Sequence, residues 1–168
     1  MQKTAMRWLP ATVLLIASSI ACAQQAPLTA ASSAHAANWA ILVNKDANLY
    51  RIDDKFYRSE QLTVEDTKTI TDLGIKSIIN LRYFNRNTNR SALLNPDLIL
   101  LNRPLLVWDI RPRQIAETLY LIEQQQPQGP VLVHCYRGAD RTGLIAGMYR
   151  IIFQGWSIDA AKTEMQQG

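Results

Sequence analysis

The feature that most constrains the fold is the segment 130–154, where a short apolar run passes into a tight loop and then into a helical pattern. Residues 130–134 are apolar as far as His134, which is typical of a strand buried on both faces. Residues 141–154 repeat apolar side chains at helical spacing. A strand that is buried on both faces needs helices on both sides of its sheet, so the segment predicts an α/β fold.

The rest of the chain continues this alternation of short strands and helices. Strands are predicted at 48–52, 55–58, 76–81 and within 97–107, and helices at 63–73, at 112–126 and from 158 onward. Thr63 and Asp66 have capping-box spacing, Gly74 is placed to end the first helix, and Pro112 is placed to begin the second. Residues 85–95 are polar and predict a loop. We therefore expect a central, mostly parallel sheet flanked by helices on both faces, as in a three-layer sandwich.

The first 23 residues have the three parts of a secretory signal peptide, which are a basic start, a short apolar run and small residues before the cleavage site. The apolar run is shorter than the roughly 18 residues that a membrane-spanning helix needs, so no stable membrane insertion is expected after cleavage. The sequence therefore predicts an exported protein. A lipoprotein anchored at Cys22 is the alternative.

Cleavage after residue 23 would leave a flexible tether over residues 24–37 and one domain over residues 38–168. Loss of Lys3 and Arg7 lowers the net charge from +4 to +2. No basic stripe with interleaved aromatic residues follows, so nucleic-acid binding is not expected. Cys135 would be the remaining cysteine, and a lone thiol is either an inert core residue or a reactive one.

The loop between the last strand and its helix is predicted to carry the chemistry. A loop of this kind directs several backbone N–H groups into one concavity at the positive end of the helix, and that geometry binds phosphate. Cys135 lies in the same field, which favours its thiolate. Arg141 can return its planar guanidinium to two phosphate oxygens, and Gly138 allows the backbone angles of so tight a loop. The predicted phosphate-binding residues are Tyr136, Arg137, Gly138, Ala139, Asp140 and Arg141.

The pattern His134-Cys135, five residues, Arg141-Thr142-Gly143 resembles the protein tyrosine phosphatase superfamily, especially its compact dual-specificity branch. The resemblance extends from about residue 48 to the end, with support at 56–59, 74–82 and 148–151. With the export signal, the chain resembles bacterial periplasmic members. This resemblance implies a periplasmic location, and as partners phosphorylated exported proteins or the periplasmic domains of membrane proteins. Such members usually continue beyond the position of Gly168, so a shortened form or a piece of a longer chain is expected.

The resemblance also implies a reaction, which is hydrolysis of phosphotyrosine, and in a dual-specificity enzyme of phosphoserine and phosphothreonine, through a phosphocysteine. No cofactor and no metal are expected. Cys135 attacks phosphorus while Arg141 and the loop amides hold the oxygens, and Thr142 matches the hydroxyl that helps the thiolate leave. His134 matches the family's buried histidine, which orients the loop and tunes the thiol.

Asp109 is the predicted general acid for the departing oxygen. It follows the strand predicted within 97–107, and the far end of that strand lies beside the phosphate loop if it runs parallel to 130–134. Asp109 also matches the family's acid, which is carried on a mobile loop. Asp97 begins the same strand and belongs to the opposite edge of the sheet. A solvated loop carboxylate is the alternative interpretation of Asp109.

Several other residues near this site have less specific predicted roles. Arg111, Arg113 and Arg137 form either a basic rim that attracts dianions or ordinary solvated surface. Arg82 and Tyr83 are expected to have structural hydrogen-bonding roles, and Trp108 either packs the acid loop or lines the pocket.

Three other functions stay open at this stage. A phosphoinositide or inositol-phosphate phosphatase is the alternative enzyme, because the same loop pattern occurs in lipid-directed relatives. A phosphate-binding module without turnover is the alternative of another class, although it would not need Asp109. A rhodanese-type sulfurtransferase also uses a loop cysteine, but Thr142-Gly143 and the upstream acid favour phosphoryl chemistry.

Overall fold

The computed structural model describes residues 38–85, 89, 90, 93 and 95–167. The predicted signal peptide and tether, with Cys22, lie outside the described residues and stay predictions. In the described ranges, no helix combines the length and the apolar character needed to cross a bilayer.

The described part contains six strands and several helices. The strands are β1 (Ile41–Asn44), β2 (Leu49–Asp53), β3 (Phe56–Ser59), β4 (Ser77–Arg82), β5 (Ile99–Leu105) and β6 (Val131–His134). The α-helices with described bounds are α1 (Thr67–Asp72), α2 (Pro112–Gln125), α3 (Asp140–Gln154) and α4 (Ile158–Gln167), and short 3-10 helices span Val64–Asp66 and Gln126–Gln128.

The strands form one sheet in the order β1-β2-β3-β6-β4-β5. Strands β3, β6, β4 and β5 are parallel, while β1 and β2 add an antiparallel hairpin. Strand β6 lies inside the sheet with every residue buried, as its continuous apolar run predicts. The carboxyl ends of the four parallel strands meet at one edge, which places the segment after β6 beside the segments after β4 and β5. The predicted mostly parallel sheet is confirmed.

Helices cover both faces of this sheet through two apolar cores. The first core joins the sheet to α2 and α3 and includes Phe56, Ile79, Leu119, Ile122, Val131, Val133, Ile145 and Tyr149. The second core joins the other face to α1 and to the segment before β5, and includes Leu49, Tyr57, Leu62, Ile70, Ile78, Leu98 and Leu132. Alternate residues of β6 therefore enter opposite cores, as expected for a strand with period two.

Most of the predicted elements lie within one or two residues of their observed bounds, with two differences. Strand β1 was not predicted, because its aliphatic side chains are exposed and show no alternation at the sheet edge. In the predicted loop 85–95, Asn89 and Arg90 are helical, while residues 86–88, 91, 92 and 94 lie outside the described residues. The prediction of an irregular loop was therefore wrong at Asn89, whose side chain is buried against His134 and whose carbonyl accepts a helical hydrogen bond from the Leu93 amide at 2.9 Å.

A buried ion pair joins α3 to α4 and to the chain that enters β1. Arg150 Nη2 and Nε donate to the Glu164 carboxylate at 2.7 and 3.0 Å. Arg150 also donates to the Asn38 carbonyl at 3.0 Å, and the Ala40 amide donates to Glu164 at 2.7 Å. The guanidinium lies 4.3 Å from the centre of the Trp156 ring. Three distant segments are thus fixed together by one pair of charges.

Candidate active site

The predicted nucleophile and phosphate ligands converge at the carboxyl edge of the sheet. Cys135 directly follows β6, and Arg141 and Thr142 occupy the first turn of α3. The phosphate loop, residues 135–139, connects the two elements. The structure therefore brings together the loop, the arginine and the hydroxyl that the sequence pattern selected.

Every carbonyl of the phosphate loop accepts a hydrogen bond. The donors are His134 Nδ1 to Cys135 O (3.1 Å), Gln61 N to Tyr136 O (3.1 Å), Asn48 Nδ2 to Arg137 O (2.8 Å), Arg58 Nη1 to Gly138 O (3.1 Å) and Gly143 N to Ala139 O (2.7 Å). In a trans peptide the C=O and the next N–H point in opposite directions, so the following amides point to the other side of the loop. Within the described residues, the amides of residues 136–139 donate no hydrogen bond. They are available to a single anion.

Position 138 requires glycine, because a side chain there would strain the backbone and collide with neighbouring atoms. Its φ of +72° lies in the left-handed region. A Cβ atom there would lie 2.7 Å from the Glu60 amide nitrogen and 2.8 Å from Asn48 Nδ2. The loop therefore packs directly on the β2–β3 hairpin and on the turn that follows it.

Arg141 and Thr142 supply two further donors in the first turn of α3, directly after the loop. Arg141 Nη1 donates to the carbonyls of Leu81 and Leu105, both at 3.3 Å, which anchors the guanidinium to the ends of β4 and β5. Arg141 Nε and Thr142 Oγ1 are buried and have no hydrogen-bond partner in the described part of the chain. Buried polar atoms in folded proteins are normally bonded, so these two donors in the first turn of α3 are candidates for holding a ligand.

His134 is buried and bonded at both ring nitrogens. Asn89 Nδ2 donates to His134 Nε2 at 2.8 Å, so Nδ1 carries the proton that is donated to the Cys135 carbonyl. Asn89 Oδ1 in turn accepts from Gln61 at 3.2 Å, and Gln61 accepts from Arg82 at 2.8 Å. Burial, with a smaller effect from the charges of Arg82 and Arg141, lowers the pKa of His134 to about 4, although the hydrogen bond to the Cys135 carbonyl acts in the opposite direction. His134 is therefore a neutral residue that fixes the loop.

This lowered pKa predicts a loss of stability in acid. The pKa of the imidazole is 6.5 in the unfolded chain and about 4 in the folded chain. Neutral His134 therefore contributes roughly 3 kcal/mol to the free energy of unfolding above pH 6.5. This contribution is lost as the pH falls from 6.5 to 4. Urea unfolding at pH 7 and pH 4 should show this extra loss in the wild type and not in His134→Gln. His35→Gln is the matched control and should follow the wild type, whereas equal pH dependence of His134→Gln and wild type would contradict the prediction.

Asp109 lies in the turn that follows β5, at the same edge of the sheet as the phosphate loop. Its amide donates to the Leu106 carbonyl at 3.1 Å. Its side chain is 51% exposed and accepts hydrogen bonds from Arg111 at 3.2 and 3.3 Å. The hydrogen bond and the charge of Asp109 raise the pKa of Arg111. Asp97 precedes β5 and so lies at the opposite edge, as expected for parallel strands.

The surroundings of the loop are exposed and rich in aromatic and basic side chains. Tyr136 is 59% exposed with Arg82 5.1 Å from its ring centre, and Trp108 is 79% exposed. Arg113 pairs with Glu117 at 2.9 Å on the surface of α2. Trp108 therefore does not pack the acid loop in this structure, and Arg82 has the hydrogen-bonding role that was predicted for it.

Cys135 is only 2% exposed and contacts the first core, so its burial alone does not separate a reactive thiol from an inert one. The distinction comes from its polar neighbours. An inert core cysteine is surrounded by apolar groups, whereas Cys135 begins a loop of unbonded amides and lies close enough to Arg58 for their charges to interact. The interpretation of Cys135 as a nucleophile rests on this environment.

Asn48, Arg58, Gln61 and Asn89 contact the loop or its histidine and were not singled out as site residues from the sequence. Residues 56–59 were noted only as part of the family resemblance. Asn48, Arg58 and Gln61 reach the loop because β3 pairs with β6, and Asn89 lies after β4, which pairs with β6 on its other side. A positive φ of 44° at Asn48 has no distinct sequence signal.

Comparisons with known proteins agree with this geometry. The model of the "Tyrosine phosphatase family" matches residues 45–167. The dual specificity protein phosphatase TpbA of Pseudomonas aeruginosa is 32% identical over 170 residues, which cover 100% of this chain and 76% of that protein. A crystal structure of a Cys-to-Ser variant of TpbA with pTyr has a TM-score of 0.74 at 31% identity, covering 78% of this chain and 79% of that one.

A more distant likeness extends to an enzyme with another kind of substrate. The core catalytic domain of the PP-IP phosphatase SIW14 from S. cerevisiae has a TM-score of 0.59 at 25% identity and covers 71% of this chain and 74% of that one. The family match spans residues 45–167, and the match to TpbA covers the whole chain at 32% identity. The chain belongs to the tyrosine phosphatase family.

Proposed function

We propose that this protein is an exported protein phosphatase that hydrolyses phosphotyrosine, and also phosphoserine or phosphothreonine, through a phosphocysteine intermediate. Cys135 is the nucleophile, Arg141 and the amides of residues 136–140 bind the phosphate, and Asp109 is the general acid. Thr142 assists release of the thiolate, and His134 supports the loop.

One observation carries this proposal, and it is the arrangement of donors around the phosphate loop. All five loop carbonyls accept hydrogen bonds, while within the described residues Arg141 Nε, Thr142 Oγ1 and the amides of residues 136–139 donate none. Such a set of donors matches the equatorial oxygens of a phosphoryl group during transfer, where negative charge is spread over all three.

In the first step, Cys135 Sγ attacks phosphorus, so that an S–P bond forms while the P–O ester bond breaks. The leaving oxygen takes a proton from Asp109, which becomes a carboxylate. In this structure Asp109 is paired with Arg111, so the acid must separate from Arg111 when it turns to the substrate.

In the second step, water attacks phosphorus, the S–P bond breaks, and inorganic phosphate is released. The Asp109 carboxylate accepts the proton of the attacking water. The hydroxyl of Thr142 donates to the departing sulfur and stabilises the thiolate that is restored. Neither step needs a metal, because Arg141 and the amides neutralise the developing charge.

The test of this function is hydrolysis of an aryl phosphate by the exported form of the chain in excess chelator. We expect turnover that the chelator leaves unchanged and that vanadate blocks. Loss of activity on chelation would point to a metal-dependent phosphatase, and binding of phosphate without any turnover would support the non-catalytic module.

A second candidate substrate is an inositol phosphate or a phosphoinositide, which is favoured by the similarity to SIW14. Phosphotyrosine is the better supported substrate because a more similar relative has been crystallised with it. Rates on phosphotyrosine, phosphoserine and phosphothreonine peptides, compared with rates on inositol polyphosphates, separate the two. A kcat/KM that is higher for inositol phosphates than for every peptide would overturn the assignment to protein substrates.

Asp109→Asn is expected to lower kcat/KM for a phosphotyrosine peptide by about 10²-fold or more, because the amide cannot donate an acidic proton. An aryl phosphate with a good leaving group needs less protonation, so its kcat/KM, which reports only formation of the phosphocysteine, should fall less. Asp97→Asn is the matched control, since Asp97 lies at the other edge of the sheet. Equal losses for both leaving groups, or a similar loss in Asp97→Asn, would remove Asp109 from the role of acid.

The proposed location is the periplasm, with phosphorylated exported proteins or periplasmic domains of membrane proteins as substrates. The N-terminal signal-peptide pattern of residues 1–23 supports it. Fractionation of cells that express the full chain, with N-terminal sequencing of the product, tests both the location and the cleavage after Ala23. Lipid on Cys22 would support the anchored alternative instead.

A further inference from the structure

Three successive carbonyls of the phosphate loop are held by one outer support, the β2–β3 hairpin with its flanking turns. Gln61 N bonds Tyr136 O, Asn48 Nδ2 bonds Arg137 O, and Arg58 Nη1 bonds Gly138 O, at 2.8–3.1 Å. The first of these donors belongs to the backbone, but the other two are side chains that substitution can change. The orientation of the catalytic amides thus depends on residues that approach the loop from behind.

We propose that Asn48 and Arg58 are positioning residues for catalysis, which turn the carbonyls of Arg137 and Gly138 away from Cys135 so that the next amides face its sulfur. Arg58 also places a second buried positive charge behind the loop, in addition to Arg141. This inference rests on the proposed phosphatase function and identifies what keeps the anion site assembled before phosphate binds.

Asn48 can act only as a donor in this position. Its φ of +44° is a conformation that asparagine tolerates better than most residues, which places its short amide under the loop. The Arg137 carbonyl is an acceptor, so the amide nitrogen must face it at 2.8 Å. An aspartate of the same shape would present an oxygen there, and the repulsion would turn this peptide around.

Arg58 is a buried cation with unusual partners. It is 8% exposed, donates to Gly138 O at 3.1 Å, and lies 4.2 Å from the centre of the Tyr50 ring. It forms no salt bridge with any described carboxylate. Burial lowers the pKa of Arg58, while attraction to Tyr50, Glu164 and Cys135 raises it. A buried positive charge without a carboxylate partner favours an anion nearby, and the thiolate is such an anion.

The experiment measures the alkylation of Cys135 by iodoacetamide against pH, followed by mass spectrometry of the peptide that contains it, together with kcat, KM and thermal unfolding. The variants are Asn48→Asp, Arg58→Lys and Arg58→Met in the full chain. Arg150→Lys is the matched control, because it changes another buried arginine whose hydrogen bonds go to Glu164, Gln154 and Asn38 and not to the loop. Lys45→Gln is the control for the turn that contains Asn48.

We expect Asn48→Asp to lower kcat by about 10²-fold, the effect of misplacing catalytic groups, and to move the midpoint of alkylation to higher pH. Arg58→Met should move the midpoint upward by about one pH unit or more, and Arg58→Lys should move it less, because lysine keeps the charge. Arg150→Lys should lower the unfolding temperature without moving the midpoint. Lys45→Gln should match the wild type in every measurement.

The possible failures are distinguishable. A wild-type midpoint near that of a free cysteine, about 8.5, with no turnover, would overturn the proposed function together with this inference. A low wild-type midpoint that folded Asn48→Asp and Arg58→Met proteins both retain would overturn the positioning roles alone. Equal upward shifts in Arg150→Lys and Arg58→Lys would assign the effect to general loss of stability and would also reject the inference. If Arg58→Met does not fold, Asn48→Asp alone decides between these results.

Discussion

Replacement of Cys135 by serine is expected to reduce turnover of an aryl phosphate by a factor on the order of 10⁴ to 10⁶, the size of effect seen when a hydrolase loses its nucleophile. The serine oxygen remains protonated at neutral pH and is a much weaker nucleophile than a thiolate, so no phosphoenzyme forms. Phosphate should still bind, because the loop amides, Arg141 and Thr142 are unchanged. The measurement is kcat of the variant together with the Kd for a phosphotyrosine peptide.

Cys22→Ser is the control for this substitution. It changes the other cysteine of the chain, which lies in the predicted signal peptide, and should leave kcat unchanged. Loss of peptide binding together with turnover in Cys135→Ser would indicate that the loop had collapsed. Turnover equal to that of the wild type would eliminate the covalent mechanism.

Glu164→Gln is expected to lower the free energy of unfolding by roughly 3–5 kcal/mol, because it leaves the buried guanidinium of Arg150 without its counter-charge. Both side chains of this pair are almost completely buried. Arg150 holds the Asn38 carbonyl and Glu164 holds the Ala40 amide, so loss of the pair also loosens the entry to β1. For a domain of this size the unfolding temperature should fall by roughly 10–20 °C.

The matched control is Asp72→Asn, which removes the carboxylate from an exposed pair with Lys68 on α1. Exposed pairs contribute about 1 kcal/mol or less, so this variant should unfold close to the wild type. Urea titrations of both variants give the two free energies. A loss below 1 kcal/mol in Glu164→Gln would mean that the pair is not a structural anchor.

The layers of the fold could be predicted because a strand that is apolar on both faces is stable only in a sheet covered on both sides. Val131, Leu132 and Val133 of β6 are apolar and point to both faces, so helices had to cover the sheet on both sides, and the helical pattern of α3 provides part of that cover. Strand β1 could not be predicted in the same way. Its aliphatic residues are exposed, and only pairing with β2 makes it a strand.

In the candidate site, likewise, some residues could be predicted from the sequence and others could not. Cys135, Arg141 and Thr142 occur in one continuous segment, where spacing and local geometry are linked, so the sequence alone identifies them. Arg58 reaches Gly138 only because β3 lies beside β6, with Ser59 opposite His134. Strand order is a property of the whole sheet, and no local pattern around Arg58 specifies it.

The buried pair of Arg150 and Glu164 also depends on tertiary structure and could not be predicted from the sequence. Both side chains would be expected on the surface from their chemistry, since charged residues are rarely buried without a partner. Each becomes favourable in the interior only when α3 and α4 pack together. Pairs of this kind become visible only when the tertiary arrangement is known.

The bonded carbonyls of the phosphate loop have a consequence for how this enzyme could diversify. Since the loop is already ordered, little conformational entropy is lost when a phosphate docks, and the interior recognises phosphate whatever molecule carries it. Tyr136 and Trp108 on the rim are exposed and are not needed to hold that interior in place. New substrate preferences can therefore evolve by exchange of rim side chains, at little risk to the chemical step.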